Sequence, residues 1–265
     1  MMIHDFDPIL IDLGVFQIRW YSLAYIFGIL AGWIYGRGII GRQIFNKSQN
    51  NYLKNFDDLV GYIIIGVIVG GRLGYVIFYD PIFYLQNIIE IFKLWNGGMS
   101  FHGGFVGVIV AIYIFSNLKK LNYKIYFDTI CCVAPIGLFL GRIANFINGE
   151  LYGVPTEKPW GIIFPKIDNL MRHPSQIYEA FLEGIVLFII LNFLAIKKTI
   201  GKGLISSLFL ILYGTFRAIC EQFREPDKHM GYIFEYFSMG SILSVIMIVF
   251  GLIFLPKIIF NEKNR

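Results

Sequence analysis

Charged residues are scarce in this sequence, which excludes most soluble classes of protein. Only 15% of its 265 residues are Asp, Glu, Lys or Arg, whereas 56% are hydrophobic. A soluble globular domain carries about a quarter charged residues, so the composition indicates a polytopic membrane protein. The net charge of +5 does not call for a nucleic-acid partner, because most of the surplus lies in short loops between apolar runs.

Cysteine is also scarce, and the three present do not have the spacing of a metal site. Cys131 and Cys132 are adjacent within an apolar run, and Cys220 lies alone in another. This arrangement favours small core residues over a disulfide or a nucleophile. The chemistry of the chain must therefore be sought among its few polar residues inside apolar segments.

Seven apolar runs are long enough to cross a bilayer. They cover residues 20–40, 59–79, 101–117, 129–148, 177–196, 203–222 and 235–255. Lys and Arg are concentrated in alternate loops, so the positive-inside rule places those loops and the C-terminus in the cytoplasm and the N-terminus outside. The sequence predicts an all-α integral membrane protein, with residues 1–265 forming one polytopic domain of about seven transmembrane helices.

Two further segments are too short or too polar to span. Residues 81–95 place polar side chains on one helical face, which predicts an interfacial outer-side helix, or arm, over 80–96. Residues 151–176 are rich in Pro and Gly and predict a small external cap between the fourth and fifth helices.

Three arginines lie inside runs that all lead outward, namely Arg72, Arg142 and Arg217. At 1.5 Å per residue, each lies about 10 Å below the outer surface. His102 opens the third run at the same side, and the glycines after it would let backbone approach a headgroup closely. Glu221 lies one helical turn beyond Arg217 on the same face.

These residues together predict an anion site open to the outer leaflet. Arginines at a fixed depth can bind a phosphodiester and stabilise a departing phosphate, and a histidine can accept a proton near neutral pH. Structural alternatives stay open here: Arg72 as a bracing or snorkelling residue, and Arg217 with Glu221 as an ion pair that only locks two helices. The residues suggest displacement at a phospholipid headgroup without naming the nucleophile.

Residues 141–153 carry the strongest motif, G-R-I-A-N-F-I-N-G-E-L-Y-G. It resembles the signature of the bacterial prolipoprotein diacylglyceryl transferase family, G-R-x-(G or A)-N-F-(apolar)-N-x-E-x-x-G, and satisfies every specified position. Other segments resemble the family in the same order, including WYSLAY at 20–25, GGRLGY at 70–75, WNGGMSFHGG at 95–104 and RHPSQIYE at 172–179.

The resemblance implies a reaction. Enzymes of this family transfer the diacylglyceryl group of phosphatidylglycerol to the lipobox cysteine of a prolipoprotein, form a thioether and release glycerol 1-phosphate. No metal or dissociable cofactor is implied. The implied partners are phosphatidylglycerol, prolipoprotein signal peptides and membrane lipids, and the implied location is the bacterial cytoplasmic (inner) membrane.

The resemblance also implies residue roles. Arg142 and Arg217 would hold the phosphate, and His102 is the candidate base. The expected catalytic residues are His102, Arg142, Glu150 and Arg217, and the expected substrate-binding residues are Tyr21, Arg72, Asn145, Asn148, Gly153 and Glu221. Within these sets, Asn145 and Glu150 would position the headgroup or the arginines, Glu221 would orient Arg217, and Gly153 would permit a tight turn into the cap.

Two other functions compete with the transferase. A transporter or flippase for an anionic lipid would share the arginines but needs a polar path across the membrane, and the inner halves of the runs lack one. An intramembrane protease would need paired aspartates or a Ser/His arrangement at one depth, which the sequence does not offer.

Overall fold

The chain is predominantly helical, and the computed structural model describes residues 2–14, 17–44, 49–226 and 238–263. The α-helices are α1 Trp20–Gln43, α2 Gln49–Phe78, α3 Pro81–Gln86, α4 Phe101–Leu118, α5 Tyr123–Asn148, α6 Ser175–Glu179, α7 Leu187–Lys197, α8 Leu204–Glu221 and α9 Met239–Lys263. A π-helix, Ala180–Val186, joins α6 to α7, so that Ser175–Lys197 is one continuous helix. The strands are β1 Met2–Ile3, β2 Ile9–Asp12, β3 Gln17–Arg19, β4 Ile162–Ile163 and β5 Met171–Arg172.

Five helices in the described part of the chain are long and apolar enough to cross a membrane. They are Trp20–Gln43, Asn51–Phe78, Tyr123–Asn148, Ser175–Lys197 and Leu204–Glu221, which correspond to five of the seven predicted runs. The other two runs form shorter apolar helices, His102–Leu118 and Met239–Leu255. Residues 235–237 of the seventh run lie outside the described residues. The prediction of an all-α membrane protein is confirmed.

The helices group into two compact units, residues 37–127 and residues 1–36 with 128–265. In the first unit, α2 and α4 pack antiparallel through glycines. A Cβ on Gly70 would lie 2.8 Å from the Cα of Gly107, and one on Gly74 would lie 2.7 Å from the Cα of Gly103. Gly103, the first glycine after His102, therefore serves helix contact, and the expectation that these glycines approach a headgroup stays a prediction.

The arm predicted over 80–96 is not a single helix. Helix α3 begins where Asp80 accepts the backbone N–H of Phe83 at 3.3 Å, and two 3₁₀ turns, Ile88–Phe92 and Leu94–Asn96, follow it. The backbone carbonyls of this stretch turn toward the guanidinium of Arg72. These carbonyls leave the regular helix because a buried guanidinium without acceptors would cost more free energy than the lost helical hydrogen bonds of the exposed arm.

In the second unit, small residues and one carboxylate tie the helices together. A Cβ on Gly28 of α1 would lie 3.3 Å from the Cα of Gly137 in α5, and Asn192 of α7 donates to the carbonyl of Cys132 at 3.0 Å. Asp128 is fully buried and accepts the N–H groups of Gly201 and Gly203, both at 2.9 Å. Asp128 thereby fixes α5 to the loop before α8.

The predicted cap contains a small sheet that reaches beyond residues 151–176. Strand β4 pairs antiparallel with β5 and parallel with β1, with Met2 opposite Ile162. Phe146, Ile162 and Phe164 form a buried cluster beneath this sheet. The N-terminal strand is thus a structural part of the cap, a pairing that was not predicted from the sequence.

Candidate functional site

The centre of the site is a set of arginines and glutamates buried between α5, the helix Ser175–Lys197 and α8. Arg142 of α5 places its Nε 3.0 Å from Glu179 Oε2 and its Nη2 3.3 Å from Glu183 Oε2. Both glutamate side chains are fully buried, and the Arg142 side chain is only 12% exposed. A buried guanidinium is therefore shared between two buried carboxylates, and their charges offset one another.

Arg217 of α8 joins the same carboxylates. Its Nη1 donates to Glu179 Oε1 at 2.6 Å and lies 3.7 Å from Glu183 Oε1, while its Nη2 pairs with Glu221 one turn along α8. Arg224 lies 3.5 Å from Glu179 Oε1. The geometry agrees with the expectation that Glu221 orients Arg217, and it brings Arg142 and Arg217 together through Glu179. We call these six residues, three arginines and three glutamates, the ion cluster.

Glu179 and Glu183 were not predicted as site residues from the sequence. Each is an acidic residue inside an apolar run, which is the signal that marks an intramembrane functional group. The π-helix Ala180–Val186 contains Glu183, and π turns occur frequently at functional sites. Within it, a Cβ on Gly184 would lie 2.7 Å from the Cβ of Phe139 in α5. The close approach of these two helices carries Glu183 to Arg142.

The end of the 141–153 motif forms a polar turn around Glu150. Its carboxylate accepts the side-chain amides of Asn145 at 2.8 Å and Asn148 at 3.3 Å, and its carbonyl accepts the Gln176 amide at 2.7 Å. Gly149 adopts a left-handed φ of 69°, which places Glu150 back over the helix. The structure thus brings Asn145, Asn148 and Glu150 together.

Tyr21 lies at the start of α1 in the same unit. Its hydroxyl contacts the Tyr25 hydroxyl at 3.2 Å and is within hydrogen-bonding reach of the Asn145 side chain. Asn145 therefore connects α1 to the turn that holds Glu150. This connection gives a physical reason for a tyrosine at this position.

Gly153 does not make the tight turn that was expected of it. The left-handed residues at the end of α5 are Gly149 and Leu151, with φ of 69° and 57°. Gly153 instead forms a bridge with Arg224, and its N–H donates to the carbonyl of His173 at 2.9 Å. A Cβ there would collide with backbone on both sides, so glycine is required for close approach of two chain segments.

Arg72 donates its hydrogen bonds to backbone carbonyls, and its guanidinium also lies over the Tyr84 ring, 5.1 Å from the ring centroid. Its Nε donates to the carbonyl of Ile91 at 2.8 Å, and its two terminal nitrogens donate to four more carbonyls, those of Glu90, Lys93, Gly97 and Gly98. A guanidinium has five N–H donors, so all five are used. The side chain is buried, and this geometry favours the bracing alternative over phosphate binding.

His102 lies at the start of α4, in the unit formed by residues 37–127. Ser100 caps that helix by accepting the N–H of Gly103 at 3.3 Å, and His102 is exposed on the first turn. The assignment of His102 as the base stays a prediction.

The cap carries its own charged group beside the ion cluster. Arg172 donates to Asp168 at 2.6 Å, to Glu225 at 3.1 Å and to the carbonyl of Gly153 at 3.0 Å. The bond to Asp168 above all raises the pKa of Arg172, so this cation is permanent. The adjacent His173 has its pKa lowered by burial and by the charge of Lys158.

Comparison with known proteins decides the family. A family model described as prolipoprotein diacylglyceryl transferase matches residues 8–256. The chain belongs to the prolipoprotein diacylglyceryl transferase family. It is 51% identical to the phosphatidylglycerol–prolipoprotein diacylglyceryl transferase of Rickettsia bellii (strain OSU 85-389) over 259 residues, which cover 97% of each chain. It is 49% identical to the protein of the same name in Methylocella silvestris, over 93% of this chain and 91% of that one. The similarity to this family therefore extends beyond the 141–153 motif to nearly the whole chain.

Proposed function

We propose that this chain transfers the diacylglyceryl group of phosphatidylglycerol to the lipobox cysteine of prolipoproteins. Its relatives carry that activity in their names, at about half identity over nearly their full length. The observation that carries the proposal here is the convergence of Arg142 and Arg217 on Glu179. Two guanidinium groups held at one point by packed helices are pre-oriented for a phosphodiester.

The chemical step requires charge stabilisation at the leaving phosphate. The cysteine sulfur forms a bond to the glycerol carbon, the bond from that carbon to the phosphate oxygen breaks, and its electron pair leaves on the phosphate. Arg142 and Arg217 would bind the developing charge in surroundings that exclude water, where such stabilisation is strongest. His102 is retained as the candidate base for the thiol on the family resemblance.

We assign the remaining predicted residues by their contacts. Glu150, with Asn145 and Asn148, would fix the turn at the end of α5 and so the depth of Arg142. Tyr21 would support Asn145. We retain Gly153 among the substrate-binding residues through the close packing it permits, and we reassign Arg72 to bracing the arm.

Seven crossings are supported by the pairing of distant segments. Strand β1 pairs with β4, so the segments before α1 and after α5 lie on one side, which needs an even number of crossings among α1, α2, α4 and α5. This favours α4 as a span despite its shorter length. The Ser238 hydroxyl donates to Glu221 at 2.8 Å, which starts α9 beside the end of α8. With the positive-inside rule, the N-terminus would lie outside and the C-terminus in the cytoplasm.

The arm and the cap would then face the outer leaflet of the bacterial inner membrane. The arm exposes large apolar side chains, among them Leu85, Ile89 and Trp95, each at least 75% exposed. Such a surface suits the boundary between headgroups and acyl chains. Phosphatidylglycerol and a signal peptide would both be presented from this side.

The proposal is tested by Arg142→Ala with Arg19→Ala as the matched control, because Arg19 is an exposed arginine outside the ion cluster. Transfer to a lipobox peptide should fall by about 10²-fold or more in Arg142→Ala, the usual loss when one oxyanion-stabilising donor is removed. Size-exclusion profiles and circular dichroism would establish that both variants are folded. Near-normal transfer by folded Arg142→Ala would refute the role of the arginine.

A further inference from the structure

The ion cluster is electrically balanced among the described residues, with three guanidinium groups against three carboxylates. A phosphodiester carries one negative charge, so binding it between Arg142 and Arg217 would leave the cluster with an excess negative charge. An uncompensated charge is costly to bury, and the group that can neutralise it most simply is a carboxylate that takes up a proton. The further inference concerns which carboxylate does so, and it rests on the proposed function.

Glu183 is the most weakly held of the three carboxylates. Its nearest guanidinium nitrogens lie at 3.3 Å and 3.7 Å, whereas Glu179 has partners at 2.6 Å, 3.0 Å and 3.5 Å. Glu221 pairs with Arg217 and also accepts the Ser238 hydroxyl at 2.8 Å. A phosphate oxygen that competes for Arg142 would therefore displace Glu183 before either of the others.

Glu183 also has a free position for a proton. Its Oε1 is buried and makes no hydrogen bond within the described part of the chain, and its nearest guanidinium nitrogen lies 3.7 Å away. One oxygen each of Glu179 and Glu221 also makes no hydrogen bond there, but those oxygens lie 3.0 Å and 2.5 Å from a guanidinium nitrogen. The titratable and charged groups that face it are Arg142 from α5, Arg217, Tyr213 and Cys220 from α8, and Glu179 from its own helix. Glu183 lies 3.3 Å from Arg142, so its protonated form could donate a hydrogen bond to an anion bound by Arg142.

We propose that Glu183 takes up one proton when the phosphodiester binds, and returns that proton to the phosphate as the lipid is cleaved. When sulfur bonds to the glycerol carbon, the electron pair of the breaking carbon–oxygen bond stays on the phosphate. The phosphate then takes the proton of Glu183 and leaves as the glycerol phosphate monoanion, and Glu183 is again ionised. The thiol proton is lost separately to the base and to solvent, so atoms and charge balance over the cycle.

The test is the number of protons taken up on binding, measured by titration calorimetry at pH 7 in two buffers of different ionisation enthalpy. The protein in detergent is titrated with short-chain phosphatidylglycerol and no acceptor peptide, so that no turnover occurs. We expect about one proton per bound lipid for the unmodified protein and about none for Glu183→Gln, with lipid affinity no weaker in the variant. Glu157→Gln, an exposed cap position, should behave as the unmodified protein.

Two outcomes of this titration would contradict the proposal. No proton uptake by the unmodified protein overturns the inference, and uptake that persists in Glu183→Gln overturns the assignment to Glu183. If Glu183→Gln does not fold, infrared difference spectra of the unmodified protein take its place. Binding should then produce the carbonyl band of a protonated carboxylic acid, and its absence overturns the inference.

Peptide transfer measured on the same preparation separates the two proposals. Protein that transfers the lipid group but binds it without a proton overturns the inference alone. Protein that binds the lipid and transfers nothing to a lipobox peptide overturns the proposed function and the inference with it.

Discussion

Glu179 is the residue on which the ion cluster depends most, because it contacts all three arginines. Its carboxylate oxygens lie 3.0 Å from Arg142, 2.6 Å from Arg217 and 3.5 Å from Arg224, and the side chain is fully buried. Glu179→Gln keeps the shape of the side chain and removes its charge. The three buried arginines would then share two carboxylates, those of Glu183 and Glu221.

Because Glu179 is fully buried, the expected loss of stability is that of a broken buried ion pair. Removing one partner from a buried ion pair costs about 3–5 kcal/mol, because the other charge stays buried. For a chain of this size that corresponds to a fall in melting temperature of about 5–10 °C. The matched control is Glu90→Gln, since Glu90 and Lys93 form a partly exposed pair at 29% and 37% side-chain exposure. Such pairs contribute at most about 1 kcal/mol.

Thermal unfolding in detergent, followed by circular dichroism, would compare the two variants with the unmodified protein. Peptide transfer should also fall in Glu179→Gln, because Arg142 and Arg217 lose the group that holds them together. A Glu179→Gln variant that melts within a degree or two of Glu90→Gln would refute the reasoning that the cluster is a buried, charge-balanced unit.

Three other predictions follow from single residues. His102→Gln should lower transfer and flatten its dependence on pH between about 6 and 8, the range in which a histidine titrates, and normal rates at both ends would remove it as the base. Arg72→Met should lower the melting temperature, because five carbonyls lose their donor, while the KM for phosphatidylglycerol in the folded fraction stays within about twofold; a large rise in KM would restore Arg72 to substrate binding. Burial and Lys158 lower the pKa of His173, so its protonation favours the unfolded state, and the free energy of unfolding should decline as the pH falls below about 6.5. His173→Gln should lose that part of the decline, measured by denaturant titration from pH 8 to 5.

The helices and the two central arginines were predictable from the sequence for clear reasons. Apolar runs of spanning length have few alternatives to helix in lipid, where each backbone polar group needs an internal partner. Arg142 and Arg217 stand at similar distances from the ends of two runs that the sequence predicts to cross in the same direction. The predicted direction of each run and the position of its arginine were therefore enough to place both side chains at one depth.

The carboxylates that hold these arginines were not predictable in the same way. Glu179 and Glu183 stand out as acidic residues in an apolar run, but their partners depend on how that helix is rotated about its axis. The π-helix Ala180–Val186 changes that rotation, and the contact of Gly184 with Phe139 sets the separation of the helices. Neither feature follows from a local periodicity.

The arm and the cap show a tertiary contact overriding a local pattern. The polar face of residues 81–95 has helical period, yet Arg72 draws the carbonyls of Glu90 and Ile91 out of that helix. Strands β1 and β4 have only two residues each, too few to produce a visible alternation, and they lie far apart in the chain. Tertiary contacts accompany this pairing: the His4 ring, just after β1, stacks on Phe164 and contacts the carbonyl of Phe146 at 2.6 Å.

The most direct test of the transferase is the identity of both products. The purified protein is incubated in detergent with phosphatidylglycerol and a synthetic lipobox peptide, and the mixture is analysed by mass spectrometry. We predict that the cysteine gains one diacylglyceryl group through a thioether and that glycerol phosphate is released in equal amount. An unmodified peptide, from protein shown to be folded and bound to the lipid, would contradict this account and favour a lipid transporter that shares the arginines without the chemistry.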